Sequence, residues 1–113
     1  MYNFTVMHKN EQVAKVQISD DHRKIVVDKI VPDSIIQPFG GTDLSLNRVY
    51  NFLKSRCYED GRVDLQDILQ QAGLKDNNPW EWNRITHGVT WEDDLWIRFD
   101  GEEIDWENVR WRR

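Results

Sequence analysis

The chain has 113 residues, of which 39% are hydrophobic and 12% aromatic, enough to bury a core and too aromatic for a disordered chain. Its length predicts a single domain over residues 1–113, and no apolar run or signal-like start points to a membrane or to export, so we expect a cytoplasmic protein. The net charge is −5, and the single cysteine, Cys57, excludes an internal disulfide and a cysteine-based zinc site.

Residues 1–31 alternate apolar and polar side chains, as half-buried β-strands do. Two polar turn segments separate three such runs. This pattern predicts a three-stranded antiparallel meander. The inward residues are expected to be Tyr2, Phe4, Val6, Ala14, Val16, Ile18, Ile25 and Val27.

Residues 42–88 change to a helical period and form the predicted helical segment. The first helix is expected to begin at a cap provided by Thr42, Asp43 or Ser45. A second helix is bounded by Asp64 as its N-cap and Gly73 as its stop. The first helix carries one apolar stripe, made of Leu46, Val49, Tyr50, Leu53 and Cys57.

The third helix has the clearest start signal. Asn78 is the expected cap and Pro79 the first helical residue. We expect Trp82 and Ile85 to point inward and Gly88 to end the helix.

Residues 89–113 are the predicted acidic, tryptophan-rich strand and turn segment. Leu95, Ile97 and Phe99 alternate with polar and aromatic neighbours, which predicts a strand closed by a tight turn. Residues 105–109 then form a helical turn or an edge segment. Together the elements predict an α+β fold with an N-terminal meander, three short helices, and a C-terminal strand and helical turn.

The last third of the chain combines carboxylates with all six tryptophans. Between Glu92 and Glu107 there are eight carboxylates and one arginine, Arg98. Such a stretch repels phosphate and disfavours direct nucleic-acid binding, whereas aromatic rings among charges are typical of protein-binding surfaces. Burial of the rings in the core is the competing interpretation. The predicted partner-binding residues are Trp91, Glu92, Asp93, Asp94, Glu102, Glu103, Asp105, Trp106 and Glu107.

No set of residues in the sequence indicates catalysis, a metal site or a cofactor. Cys57 lies beside Arg56, but its helical phase favours a buried structural thiol. His87 stands at a predicted helix end, where a histidine bonds a free carbonyl or meets the helix dipole. Adjacent carboxylates on strands point apart and no glycine-rich phosphate loop accompanies them. We therefore predict a non-enzyme without cofactors.

One sequence block resembles the N-terminal module of some HipA-like kinases, and also small standalone proteins of Gram-positive mobile elements. The resemblance spans about residues 44–110. No kinase domain follows in these 113 residues, so it implies a docking module rather than phosphotransfer. It also implies that Thr86, His87 and Asp93 form a polar network fixing the loop between the third helix and the strand. The block is carried by Thr86, His87, Gly88, Thr90, Asp93, Trp96, Ile97 and Arg98, then by Trp106, Glu107, Asn108 (Asp in the pattern) and Val109.

Three functional hypotheses follow from these features. The first is an acidic inhibitor from a phage or mobile element, such as an anti-CRISPR protein, that binds a basic nucleic-acid-binding effector. The second is an accessory or antitoxin-like module that works with a separately encoded HipA-like kinase. The third is single-stranded nucleic-acid binding through the tail at residues 110–113, where one tryptophan ring stands among three arginines. Unpaired sheet edges also allow a homodimer.

Overall fold

The computed structural model describes residues 2–32, 36–42, 44–57, 63–90 and 93–110. It has an α+β fold, which confirms the predicted class and the N-terminal meander. The strands are β1 (Tyr2–His8), β2 (Glu11–Ile18), β3 (Ile25–Lys29) and β4 (Leu95–Phe99). The helices are α1 (Leu46–Ser55), α2 (Leu65–Ala72), α3 (Pro79–Thr86) and α4 (Trp106–Val109).

The four strands form one antiparallel sheet in the order β3-β2-β1-β4. The C-terminal strand therefore lies beside the N-terminal one, on the edge opposite β3. Phe4 on β1 is paired with Val16 on β2 and with Phe99 on β4, so one apolar row crosses three strands. Alternation places these side chains on the same sheet face, which becomes the main core.

The main core is closed by helix α1 and by the segment that precedes it. Val49 and Leu53 of α1 are fully buried with Phe39 against the sheet. A smaller cluster joins α2 to α3 through Leu69 and Trp82. These clusters hold α1 and α3 on one side of the sheet.

Among the described residues, the other sheet face is covered at one end only. Met7 of β1 and Trp96 of β4 are paired on this face and are buried beneath α4, which contributes Trp106 and Val109. A four-residue helix is not stable by itself, so α4 is held by this packing.

The helix termini agree with most of the cap signals. Ser45 caps α1 by accepting a hydrogen bond from the Arg48 N–H, and Gly73 ends α2 in a left-handed conformation. The α3 C-cap falls on His87 (φ 56°), one residue before the predicted Gly88. The inward prediction for Ile85 is wrong, because its side chain is 43% exposed. No helix in the described part of the chain is long and apolar enough to cross a membrane.

Candidate functional site

Arg56 fixes the connection between α3 and β4. Its side chain is only 6% exposed, and its guanidinium grips Asp93 through two hydrogen bonds, of 2.8 and 2.7 Å to the two carboxylate oxygens. The same group donates to the Gly88 carbonyl at 2.7 Å and to the Leu95 carbonyl at 2.8 Å. All three partners lie in residues 88–95, so one side chain at the end of α1 sets where β4 begins.

The Asp93 carboxylate is part of the fold rather than a free surface charge. It also accepts a hydrogen bond from the Leu95 N–H at 3.1 Å. Burial raises the pKa of Asp93, but the hydrogen bonds and the positive charge of Arg56 outweigh that effect and hold the pKa below its usual range. The Asp93 carboxylate is therefore bound by Arg56 and by the Leu95 N–H of its own chain.

Thr86 and His87 hold the same loop from its other end. The Thr86 hydroxyl donates to the Trp82 carbonyl and accepts from the Gly88 N–H. His87 Nε2 lies 2.9 Å from a carboxylate oxygen of Glu102, and the His87 carbonyl accepts a 2.7 Å bond from the Ile97 N–H. The two residues thus contact the loop and β4 as a polar network would. The His87 ring thus contacts a carboxylate, a partner that the sequence did not predict.

Glu102 anchors the turn that follows β4. Its second carboxylate oxygen accepts a 2.7 Å hydrogen bond from the Phe99 N–H, while the first contacts His87. Both oxygens are therefore used inside the chain. Glu102, like Asp93, is bound by groups of its own chain.

Asp105 caps α4 and fixes the far end of the turn segment. It forms a capping box with Asn108, each side chain accepting a hydrogen bond from the other residue's backbone N–H. The Trp106 N–H donates to the Asn10 side chain at 3.0 Å, which ties α4 to the β1–β2 turn. The chain is consequently held at both Glu102 and Asp105.

Replacing Asp105 by alanine is expected to lower the free energy of unfolding by about 1 kcal/mol, because the α4 cap is lost. Asp105→Asn removes the same charge but keeps a good N-cap, so its effect should be less than half as large. Urea denaturation of both variants checks this. Equal losses would show that the charge, and not the cap, matters at this position.

Trp96 and Trp106, the tryptophans of this region that the structure describes, face inward. Trp106 is 7% exposed in the cluster under α4, and Trp96 is buried beside it, with its indole N–H donating to the Lys9 carbonyl at 2.6 Å. The prediction of an outward-facing Trp106 is therefore wrong. The cause is that the turn after β4 brings α4 back over the sheet face on which Met7 and Trp96 lie. Trp91 and Glu92, and the tail residues Trp111–Arg113, lie outside the described residues.

The remaining predicted carboxylates stay at the surface. Glu107 is 66% exposed and contacts Arg110 at 3.4 Å, whereas Asp94 lies 3.9 Å from Lys9. Such exposed pairs contribute little to stability. Asp100 was not among the predicted partner-binding residues, but it is exposed and lies between Asp94 and Glu107 in the sequence. We call the following residues the C-terminal acidic surface: Asp94, Asp100, Glu103, Asp105 and Glu107.

The C-terminal acidic surface follows one path along the outer side of the sheet. The chain reverses after β4 at residues 100–101 and runs back until α4 meets Asn10. Asp94 also lies beside the β1–β2 turn, because its backbone carbonyl accepts a hydrogen bond from the Lys9 N–H. Carboxylates spread over residues 94–107 are thus gathered at one edge of the molecule.

An open cavity of about 360 Å³ borders this surface on the uncovered part of the sheet. Lys15 and Arg98 flank the buried Thr5 in the strand register, and Asp100 and Glu102 also line the cavity. The acidic surface therefore has two cations at one margin. A partner that docks across this margin must place its own acceptors there.

Nothing in the described part of the chain gathers three or more histidine, cysteine or carboxylate side chains into a metal site. Cys57 is half-buried and lies past the end of α1, with its sulfur 3.4 Å from the Leu53 carbonyl. The residue that sequence reasoning missed is Arg56, which binds Gly88, Asp93 and Leu95. Comparison of the chain with protein-family models, curated proteins and solved structures gives no match. The likeness to HipA-like modules stays a prediction from its motif.

Proposed function

We propose that this chain is a non-catalytic protein-binding module that docks through the C-terminal acidic surface onto a basic surface of another protein. The observation that carries the proposal is that the C-terminal carboxylates fall into two groups, one bound within the chain and one exposed to solvent. Asp93 and Glu102 are bound inside the chain, whereas Asp100, Glu103, Asp105 and Glu107 are exposed and Asp94 is partly exposed beside Lys9.

The rigidity of the segment supports this role. Glu102 is bonded to Phe99 and His87, and Asp105 is fixed by its capping box, so Glu103 lies between two anchored residues. A surface that is already ordered loses less conformational freedom on binding. The acidic surface is thus suited to recognition by fixed charges.

The sign of the charge favours one class of partner. The five carboxylates of the C-terminal acidic surface repel nucleic-acid phosphates. They attract proteins whose lysines and arginines bind those phosphates, and opposite charges speed the encounter. We therefore propose a basic nucleic-acid-binding effector as the partner, with the chain acting as its inhibitor.

Neutralising the acidic surface is expected to abolish capture of the partner. In the test variant Asp94 and Asp100 become Asn while Glu103 and Glu107 become Gln, and Asp105 is kept so that α4 stays capped. The control variant neutralises four exposed carboxylates elsewhere, namely Asp20, Asp67, Asp76 and Glu81. Both variants change the net charge equally, so only the position of the charges differs.

Each immobilised protein is exposed to a lysate of the native host, and retained proteins are quantified by mass spectrometry. We expect proteins retained by the wild type and the control but lost from the test variant, released between about 50 and 200 mM salt and displaced by duplex DNA. Retention that is the same for the test variant and the wild type would refute the proposal. So would equal losses from the test and control variants.

A further inference from the structure

Strand β3 leaves its outer edge unpaired within the described residues. In the order β3-β2-β1-β4 only β2 pairs with it. The Lys24 carbonyl accepts a bond from Ser19 and the Ile30 N–H donates to Val13, so the peptide groups of these even-numbered residues face β2. By the two-residue repeat, the peptide groups of Ile25 and Val27 point outward. Free peptide groups of this kind are a template for a further strand.

The side chains along this edge have a self-complementary order. On the sheet face away from the main core, Lys24, Val26 and Asp28 are all exposed, and Val26 is 58% exposed. A cation, an apolar residue and an anion thus follow one another at two-residue spacing. When two copies of this strand pair antiparallel about Val26, each charged side chain lies opposite a residue of the opposite charge.

We propose that a second copy of this chain pairs antiparallel with β3, so that Val26 lies opposite the partner's Val26. Lys24 then faces the partner's Asp28, and the two-fold symmetry repeats that pair. The peptide groups of Ile25 and Val27 bond between the copies. The product is a continuous eight-stranded sheet with an isologous interface.

The charges select this register over its neighbours. Centring the pairing on Val27 would place Val26 opposite the partner's Asp28 and Lys24 opposite the partner's Ile30, which sets charges against apolar side chains. A shift by a single residue would turn the half-buried side chains to the wrong sheet face. Opposite-charge pairs across strands are stabilising and like-charge pairs are not. A palindromic order of charges fits a second copy rather than an unrelated strand.

The core face tolerates the same pairing. Ile25 and Val27 are already partly buried against the main core and would face each other between the copies. The Lys29 ammonium donates to the Gly41 carbonyl of its own chain at 2.9 Å. Its charge is therefore directed away from the partner's Arg23, which this register brings opposite.

A disulfide at the two-fold axis tests the register directly. Directly opposed residues of a non-hydrogen-bonded pair have Cα atoms about 4.5 Å apart, within the range that a disulfide bridges. We expect Val26→Cys, made with Cys57→Ala, to form covalent dimers under mild oxidation at least about ten times faster than Val63→Cys in the same background. Val63 is fully exposed and far from β3 in sequence, so it measures random collision.

Asp28→Cys is the register control, because two copies of residue 28 would be about 13 Å apart along the strands. It should crosslink no faster than Val63→Cys. The proposal is overturned if Val26→Cys is as slow as Val63→Cys, or if Asp28→Cys is as fast as Val26→Cys.

A charge swap tests the same contact without cysteine. Sedimentation equilibrium of the wild type should show a dimer, and Lys24→Glu should weaken it about tenfold by creating two like-charge pairs. Adding Asp28→Lys to that variant should restore the dimer. A wild type that stays monomeric up to about 0.5 mM, or a Lys24→Glu variant that dimerises normally, contradicts the proposal. Thermal unfolding at low concentration confirms that each variant keeps its fold.

Discussion

Replacing Arg56 by alanine should lower the free energy of unfolding by about 3 kcal/mol, since it removes one member of a buried ion pair. The change leaves the carbonyls of Gly88 and Leu95 without their donor and Asp93 without its cation. Because the Asp93 side chain is 38% exposed, water offsets part of that loss, which places the effect at the lower end of the usual range. The total free energy of unfolding of a protein domain is only about 5–15 kcal/mol, so this change would remove a large share of it. Urea denaturation followed by circular dichroism measures the change.

Arg84→Ala is the matched control for this effect. Its guanidinium lies over the rings of Tyr2 and Phe99, 4.6 Å from each centroid, but the residue is exposed and makes no buried ion pair. We expect a loss of about 1 kcal/mol or less there. Arg56→Lys should fall between the two, because an ammonium keeps the charge but cannot grip both carboxylate oxygens. A loss at Arg56 no larger than that at Arg84 would disprove its anchoring role.

The same pair should also set part of the acid sensitivity of the protein. Arg56 keeps the pKa of Asp93 lower in the folded chain than in the unfolded chain. The stability from this group is therefore complete above the unfolded pKa and is lost as pH falls through the folded one, from about pH 5 downward. In Arg56→Ala the two pKa values converge, so we expect a shallower loss of stability with acid than in the wild type. Denaturation curves between about pH 3 and 7 test this, and parallel profiles would contradict it.

The features that sequence reasoning predicted are those that neighbouring residues determine. Alternation placed the strands of the meander, and the short-range signals at Gly73 and Asn78 placed helix ends, while Ser45 was one of three candidate caps for α1. Each such signal acts within about one helical turn or one strand pair. Ile85 was misplaced because α3 turns a polar residue, Asn83, into the core instead. Asn83 is fully buried and donates to the Leu53 and Pro79 carbonyls.

The anchoring role of Arg56 depends on residues far away in the chain. Its partners Gly88, Asp93 and Leu95 lie 32, 37 and 39 positions further on. A lone arginine at a helix end has no periodicity that distinguishes it from an ordinary solvated charge. The burial of Trp106 has the same origin, because only the pairing of β4 with β1 creates the apolar surface that receives it.

The two proposed surfaces lie on opposite edges of the sheet. The C-terminal acidic surface follows β4, and the proposed dimer contact uses β3, with β1 and β2 between them. A dimer joined at β3 would therefore expose two acidic surfaces at its far ends, suited to a partner with two basic sites. Charge changes at one edge should leave binding at the other unchanged, so the two proposals can fail separately.

Replacing Gly88 by alanine should lower the free energy of unfolding by about 2–4 kcal/mol, from a strained backbone and an overfilled site together. Gly88 has a φ of +66°, and an added Cβ would lie 3.0 Å from the Asn83 side-chain oxygen and 3.1 Å from Ile97 Cδ1. Neither neighbour can move freely. Asn83 is held by its two carbonyl partners, and Ile97 is fully buried in β4. Any shift of the Gly88 backbone would also pull its carbonyl away from Arg56.

Gly73→Ala separates the two causes, because Gly73 has a similar φ of +76° but no atom within 4 Å of the added Cβ. Its loss should reflect the left-handed backbone alone, about 1 kcal/mol. The difference between the two variants then measures the contacts with Asn83 and Ile97, and urea denaturation of both proteins gives it directly. Equal losses would mean that Gly88 is required only for its backbone conformation. A larger loss at Gly88 would show that the close approach of the loop to β4, which Arg56 and Thr86 also maintain, contributes to stability.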